Sequence, residues 1–558
     1  MVRATFSGFN TALSALQANQ KRLDITGQNL SNMNTAGYTR QQLEASSLNY
    51  TNPVSHYSNG NETAVGFGVS MDRVSQIRDP YLDIQYRSQS ADCSYTNRLQ
   101  TALNSLSKVL DETTISGIRQ AFDDIQSTLT SMQDPAKVSD PIYESELRTK
   151  MQSVCNLFNQ ASRQISQAEQ NEFQRLTGEG SSEQGDVQKI NDILRQIGDL
   201  NVQIKRNQVA GHPSLELQDE RNLLLDELSG YIPVETRYYK DDAHSGNNAY
   251  DYDANGAVIG KKDWPDDLEV SMNYIDAQGK SQKLILVNGS DLGADGLTKN
   301  YGQLSVLKGD HQTAASVSDP ANISIKFEKA PSYKGNGQAA ADVYAELKGI
   351  HFEGGSLQAS LDMLQKTGTG NVINGSTAVD DVRGYQYYSG KLDQLASTFA
   401  ESMNKINNGN KNPKDQNLLS NSTDDSTTGI TAGNIGISKG WTSGTIHIST
   451  DGTNRTDTIL DMIAAMKDTK KLNGKTFADY MNNLSTQLAS DSSSNQTALK
   501  TGTTVLNSIQ DSRDSLSGVS LDEEATNMMA YVSAYNAASR LMTALDEVLN
   551  TLISNTGA

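Results

Sequence analysis

The clearest hydrophobic pattern lies at the two ends of the chain. Phe6, Phe9, Leu13, Leu16, Leu23 and Leu30 recur at alternating steps of three and four, with Gln20 and Gly27 as the weak positions of the row. Met528, Tyr531, Tyr535, Ala538, Met542, Leu545, Leu549 and Leu552 repeat that alternation at the far end. Such steps place side chains on one narrow helical stripe, the seam of a coiled coil. They predict N- and C-terminal helices that pair with each other. Isolated helices are marginal in water, so each end is expected to stay loose until it finds its mates, and the ends of a lone subunit to be disordered until neighbours are present.

Three further stripes predict long helices inside the ends. These are Leu99, Ala102, Leu106 and Val109; then Met151, Val154, Phe158, Ala161, Ile165 and Ala168; then Ile190, Ile193, Ile197, Leu200 and Ile204. Ser139-Asp140-Pro141 supplies a capping side chain followed by proline in the first turn of the second. Gly178 to Gly185 breaks the second from the third, and long helices with short polar breaks describe a bundle. Asn49 to Val74, with Gly60, Gly66 and Gly68, reads as a hairpin or irregular loop.

After Gly230 the period changes. Leu268–Tyr274, Lys283–Val287 and Ile323–Phe327 alternate between turn residues, the signature of strands. Helix returns from Gly384 to Ile406, with Leu392, Leu395, Phe399, Met403 and Ile406 on one face. A polar patch from Asn410 to Thr453 holds one strand-like run, Thr445–Ser449, and helix resumes from Thr458. The expected fold is α+β, elongated and multidomain, folded back on itself. Residues 1–45 with 520–558 form a terminal coiled coil. Residues 46–232 with 355–409 and 454–519 form a helical bundle. Residues 233–354 form a β-rich inserted domain, and 410–453 a small β-rich insertion.

Composition adds function classes to exclude. Over 558 residues the chain is 36% hydrophobic and carries a net charge of −19. Phosphate binding needs clustered Lys and Arg, so nucleic acid and anionic membranes are not the expected partners. No run approaches the ~18 apolar residues of a membrane span, and Met1–Leu30 lacks the features of a cleaved secretory signal. The ends differ in sign. Met1–Glu44 has Arg3, Lys21, Arg22 and Arg40 against Asp24 and Glu44, net +2; Val519–Ala558 has Arg540 against Asp522, Glu523, Glu524, Asp546 and Glu547, net −4. Opposite charge favours pairing between the ends over like with like.

Candidate chemistry changes little. Asp251-Tyr252-Asp253-Ala254-Asn255-Gly256 copies half of a calcium loop, but Lys262 stands where the bidentate Glu belongs, so an acidic hairpin turn is the better reading. His56, His212, His244, His311, His351 and His447 show no metal spacing. No nucleophile elbow, Walker loop or dinucleotide fingerprint occurs. No catalytic, cofactor or metal residue is therefore assigned. Asp522, Glu523 and Glu524 read as dipole-favoured acids in the first turn of the last helix. Cys93 and Cys155 read as small buried hydrophobes, with a single bridge between them left open.

Gly27–Gln41 reads GQNLSNMNTAGYTRQ. It resembles the N-terminal signature of bacterial flagellar axial proteins, in which a helix bearing Asn29 and Asn32 runs into a turn at Gly37-Tyr38. Leu521-Asp522-Glu523-Glu524, the last helix and the segment Gln218–Ser229 are similar to hook-associated members at the hook–filament junction. The resemblance implies a secreted, extracellular, non-enzymatic protein without cofactors, exported without a cleaved signal. It implies helical self-assembly into a ring that completes each subunit's core. Its implied partners are hook protein, the next hook-associated protein, and an export chaperone on the Met528–Leu552 stripe. A hook or distal-rod protein, and a secreted glycan-binding adhesin using the β insert, stand as alternatives.

Overall fold

The computed structural model describes residues 2–48, 68–110, 117–138, 140–210, 212–240, 250–252, 258–261, 266–275, 280–289, 299–309, 313–328, 343–345, 352, 354–368, 372–373, 376–377, 382–409, 416–448 and 456–556. The chain starts with α1 (Val2–Ser31), then an antiparallel pair β1 (Gln41–Ser47) and β2 (Val69–Gln76). The body follows: α2 (Pro80–Leu110), α3 (Ile118–Ser131), α4 (Pro135–Val138), α5 (Pro141–Thr177), α6 (Asp186–Val209) and α7 (Leu215–Tyr231). Its strands are β3 (Glu235–Lys240), β4 (Tyr250–Tyr252), β5 (Val258–Lys261), β6 (Asp266–Ile275), β7 (Ser281–Asn288), β8 (Gln303–Lys308), β9 (Ile323–Glu328) and β10 (Val343–Ala345). After these come α8 (Ser356–Gln365), β11 (Val372–Ile373), β12 (Ser376–Thr377), α9 (Tyr385–Asn408), β13 (Leu419–Asn421), β14 (Ile435–Ile437) and α10 (Lys439–Ser443). The return ends in α11 (Asp457–Lys467), α12 (Phe477–Ser517) and α13 (Leu521–Thr556).

Mostly helix with a few small sheets, this is the α+β arrangement expected. The three interior stripes fall on α2, α5 and α6 and are buried, apart from partly buried Val109 and Ala168. Asp140 caps α5 by accepting the Ile142 N–H at 2.9 Å. The hairpin pairs 41–47 with 69–76, and its intervening segment 49–67 lies outside the described residues. α8, absent from the sequence reading, precedes the predicted return helix α9. The strand expected at Thr445–Ser449 does not form over the described residues 445–448. Gly444 takes a left-handed turn (φ 76°) after α10, and the N–H groups of Thr445 and Ile446 fold back onto the Gly440 carbonyl at 2.9 and 3.0 Å. The apolar Ile446 and Ile448 pack into the core from an irregular segment instead.

The body has one continuous core. Phe122, Phe158, Phe399 and Phe477, from α3, α5, α9 and α12, are fully buried, with Phe122 ring centroids 5.1–6.0 Å from the other three. Phe122→Ala should lower unfolding free energy by about 3–5 kcal/mol, measurable by chemical denaturation; a loss under ~1 kcal/mol would mean that the site collapses around the gap.

The same core runs into the strands. Antiparallel sheets β3-β6-β7 and β10-β9-β8 contribute Leu268, Val270, Leu286, Ile325 and Phe327 to it. Asparagines join α6 to those sheets. Asn191 exchanges two bonds with the Leu304 backbone (2.7 and 2.8 Å), Asn201 donates to the carbonyls of Leu268 and Gly289, and Asn300 donates to the Gly198 carbonyl. Buried backbone groups must find partners, and a short amide side chain reaches them where helix meets strand. Cys93 and Cys155 are free and buried, and burial pushes the Cys155 thiol up to about 12.

Candidate functional site

The chain ends form one antiparallel helix pair, α1 against α13. Three contacts fix its register. A Cβ on Gly8 would stand 3.5 Å from the Leu545 methyls, Arg22 lies 5.6 Å over the Tyr531 ring, and Asn29 donates to Glu524 Oε2 at 3.4 Å. Gly8 to Arg22 and Tyr531 to Leu545 are both steps of 14 residues; Arg22 to Asn29 and Glu524 to Tyr531 are both steps of seven. The contacts therefore recur in whole heptads, as in a coiled coil.

That register sets which face of each helix looks inward. On α1, positions 8, 15, 22 and 29 hold Gly, Ala, Arg and Asn, and they are flanked by buried Ala12, Ala18, Asn19, Ile25 and Thr26. Phe9, Leu16, Leu23 and Leu30 stand one residue on, about 100° further round the helix, and are half-buried; Leu13 is 47% exposed. Phe6 lies on α1, with its side chain outside the described set. On α13, Ala538 is buried, Met528, Tyr531, Met542, Leu545 and Leu549 are half-buried, and Tyr535 and Leu552 sit at the edge of exposure. Leu541 and Val548, one heptad apart, are open to solvent. Each helix of the pair thus keeps apolar surface beyond the seam.

Where the pair meets the body, Asn29 is the hub. It is 1% exposed; its Oδ1 accepts from the Gln41 N–H (3.0 Å) and the Tyr38 hydroxyl (2.9 Å), and its Nδ2 donates to the Gln41 carbonyl (3.0 Å) and to Glu524. Asn32 closes the helix end by donating to the Gln28 carbonyl and accepting from Thr35. Gly37 then turns the chain at φ 78°, a left-handed conformation that L side chains resist. The extended residues 38–41 send successive side chains to opposite sides. Tyr38 bonds the helix pair; Thr39 bonds the body; Arg40 returns to the pair, 2.8 Å from both Glu523 and Glu524. The Asp522–Glu524 turn thus does more than suit the α13 dipole, because Glu523 and Glu524 grip the other chain end. Leu521 and Asp522 of that turn are exposed.

The body side is built from α7 and the ends of α2 and α12. Asp219 accepts from the Thr39 N–H (3.0 Å) and hydroxyl (2.6 Å), with Arg78 at 3.9 Å. Arg513 bridges Asp83 (3.2 Å) and Asp226 (2.7 Å), and Arg87 also holds Asp226 at 2.8 Å. Burial pushes the Asp219 carboxyl above the usual carboxylate range, against the Thr39 bonds and Arg78. Burial, with the charges of Asp219, Glu216 and Glu524, drives the Tyr38 hydroxyl well above its ordinary value. Thr39, Arg40, Asp219, Asp226 and Arg513 were not singled out as functional from sequence. Their traces in the sequence are that 38–41 and 218–229 lie within the quoted signatures and that Arg40 counts among the basic residues of one end against Glu523 and Glu524 of the other; Arg513 leaves none. Among the described residues no group of three His, Cys, Asp or Glu could hold a metal, and no helix is long and apolar enough to cross a membrane. Residues 253–257 and Lys262 of the calcium-like turn lie outside the described residues.

Comparison with known proteins places this architecture in a class. Residues 9–39 match the flagella basal body rod protein family, and 512–555 match the flagellar basal body rod FlgEFG protein C-terminal family, so both ends are those of a flagellar axial protein. The middle separates the members of the class. Residues 103–416, more than half of the chain, match the flagellar hook-associated protein FlgK helical domain, and the chain belongs to that family. Flagellar hook-associated protein 1 of Bacillus subtilis (strain 168) is 28% identical over 99% of both chains. The proteins of the same name in Salmonella typhimurium and Escherichia coli are 29% and 28% identical over 40% of this chain and 38% and 39% of their own. The solved flagellar hook junction protein FlgK from Burkholderia pseudomallei overlaps 61% of this chain and 45% of its own, at 19% identity and a TM-score of 0.36. The chain is a structural component of the bacterial flagellum and not an enzyme.

Proposed function

We propose that this chain joins the flagellar hook to the filament as a non-enzymatic adaptor. It would assemble helically into a ring of identical copies, with hook protein on one side and the next hook-associated protein on the other. The observation that carries this reading is the heptad-registered α1/α13 pair, which leaves Leu13, Leu541 and Val548 exposed after its own seam is made. Apolar rows of that kind call for a covering surface, and a helix pair with basic and acidic members can stack on copies of itself. Such contacts are heterologous and propagate rather than closing as a dimer. Before assembly the protein would be a secreted one in transit, and an export chaperone would cover the Met528–Leu552 stripe. The residue set Phe6, Phe9, Leu13, Leu16, Leu23, Leu30, Met528, Tyr531, Tyr535, Met542, Leu545, Leu549 and Leu552 would form the axial assembly surface. The β region, residues 233–354, and the small insertion, residues 410–453, would be the outward layers.

Electron microscopy of cells lacking this chain tests the reading. Intact hooks with filaments shed into the medium are expected. Filaments still seated on hooks would overturn it, and missing hooks would point to the hook or rod role.

A further inference from the structure

We propose that Asp219, on α7, is the positioning residue that sets the orientation of the paired chain ends relative to the body, acting through Thr39. Its consequence for the flagellum rests on the adaptor reading above, but its test does not.

The joint between pair and body is not packed solid. An open cleft of about 780 Å³ lies beside it, lined among others by Tyr38, Arg40, Tyr86, Arg513, Gly518 and Glu523. The large apolar residues at its margin, Met33 and Leu223, are 40% and 47% exposed, so apolar burial does not fix the angle there. Directional bonds must do so. On the side of the pair, Asn29, Glu523 and Glu524 hold residues 38–41. On the side of the body, Asp219 takes both donors of Thr39, while Arg78 donates to the Thr39 hydroxyl and Gln41 to Glu216, each at 3.3 Å. The Arg40 N–H donates to the Ser517 carbonyl at 2.9 Å, and the Arg40 carbonyl accepts from the Ile77 N–H at 2.8 Å. Asp219 is itself held: it is 6% exposed, stands on a helix anchored in the core by Leu225 and Leu228, and has Arg78 beside it. A bidentate grip on one residue of an extended strip restrains rotation as well as separation, which a single bond cannot do. Asp226, by contrast, bonds Arg87 and Arg513, both within the body.

The test uses the full chain with spin labels at Gln17→Cys on α1 and Glu183→Cys on the body, both exposed positions. Pulsed dipolar spectroscopy reads the distance distribution between pair and body, and calorimetry reads the main melting transition. Asp219→Ala and Thr39→Val should each give a distribution about twofold broader, as for a freed hinge, with the main transition unmoved. Thr39→Ser, which keeps the hydroxyl, should keep the distribution of the unsubstituted chain. An unchanged width in Asp219→Ala, or a width already that broad in the unsubstituted chain, overturns the proposal. So does a lowered main transition in both Asp219→Ala and Thr39→Val, which would mark a merely structural role. Filament attachment in cells carrying Asp219→Ala reads the consequence separately: a loosened joint with normal attachment would show that the junction does not need a fixed angle between pair and body, and would leave the positioning role standing.

Discussion

Replacing Asn29 with leucine should release both chain ends from the body while leaving the body folded. Leucine has similar volume but none of the four bonds that Asn29 makes to Gln41, Tyr38 and Glu524. The Gln41 N–H and carbonyl would lose their partner, and so would the Tyr38 hydroxyl. A buried polar group left unpaired costs about 1–3 kcal/mol, so the local loss should reach roughly 3–5 kcal/mol even after some groups turn to water. Hydrogen exchange checks this directly. Amides in 2–41 and 521–556 should lose protection, whereas those around Phe122 and Phe399 should not. Retained protection at Gln41 would show that the hub is replaceable.

A second large effect is expected from Leu545→Asp combined with Leu549→Asp. Both residues are half-buried in the α1/α13 pair, with Leu545 facing Gly8. Full burial of a leucine is worth ~1.5–3 kcal/mol, and the added carboxylates would join the existing acids Asp546 and Glu547. The purified variant should keep the main melting transition of the body and fail to incorporate into flagella. Filament attachment at the normal level by this double variant would sink the coiled-coil assignment.

The sequence disclosed what is local and repeated. Long helices were legible because their stripes repeat every three or four residues, β6 and β9 because theirs repeat every two, and β7 as a short apolar run, Leu284 to Val287, that is buried throughout. The polar joint was not legible as a site, because its partners lie far apart in the chain: Thr39 with Asp219, Arg40 with Glu523 and Glu524, Asp83 with Arg513. Periodicity carries no trace of such pairs. The inward face of α1 was hidden for another reason. Gly8, Ala15, Arg22 and Asn29 hold the seam position without any large apolar side chain, so the eye goes to the leucines beside them. At Thr445–Ile448, a β-like alternation lost to a glycine turn after a short helix. The asparagines that join α6 to the sheets look like ordinary helix-surface polar residues until the sheets are in place.

The central claim is that the two ends of one chain pair with each other in heptad register and remain paired in the flagellum. Short-span thiol cross-linking of Gly8→Cys with Leu545→Cys, in flagella purified with their hooks and basal bodies, tests it most directly. The account predicts an internal cross-link that leaves the subunit at monomer mass under denaturing conditions, with Ala530→Cys in place of Leu545→Cys giving none. Dimers and higher ladders from the Gly8→Cys, Leu545→Cys chain, or no cross-link at all, would contradict it.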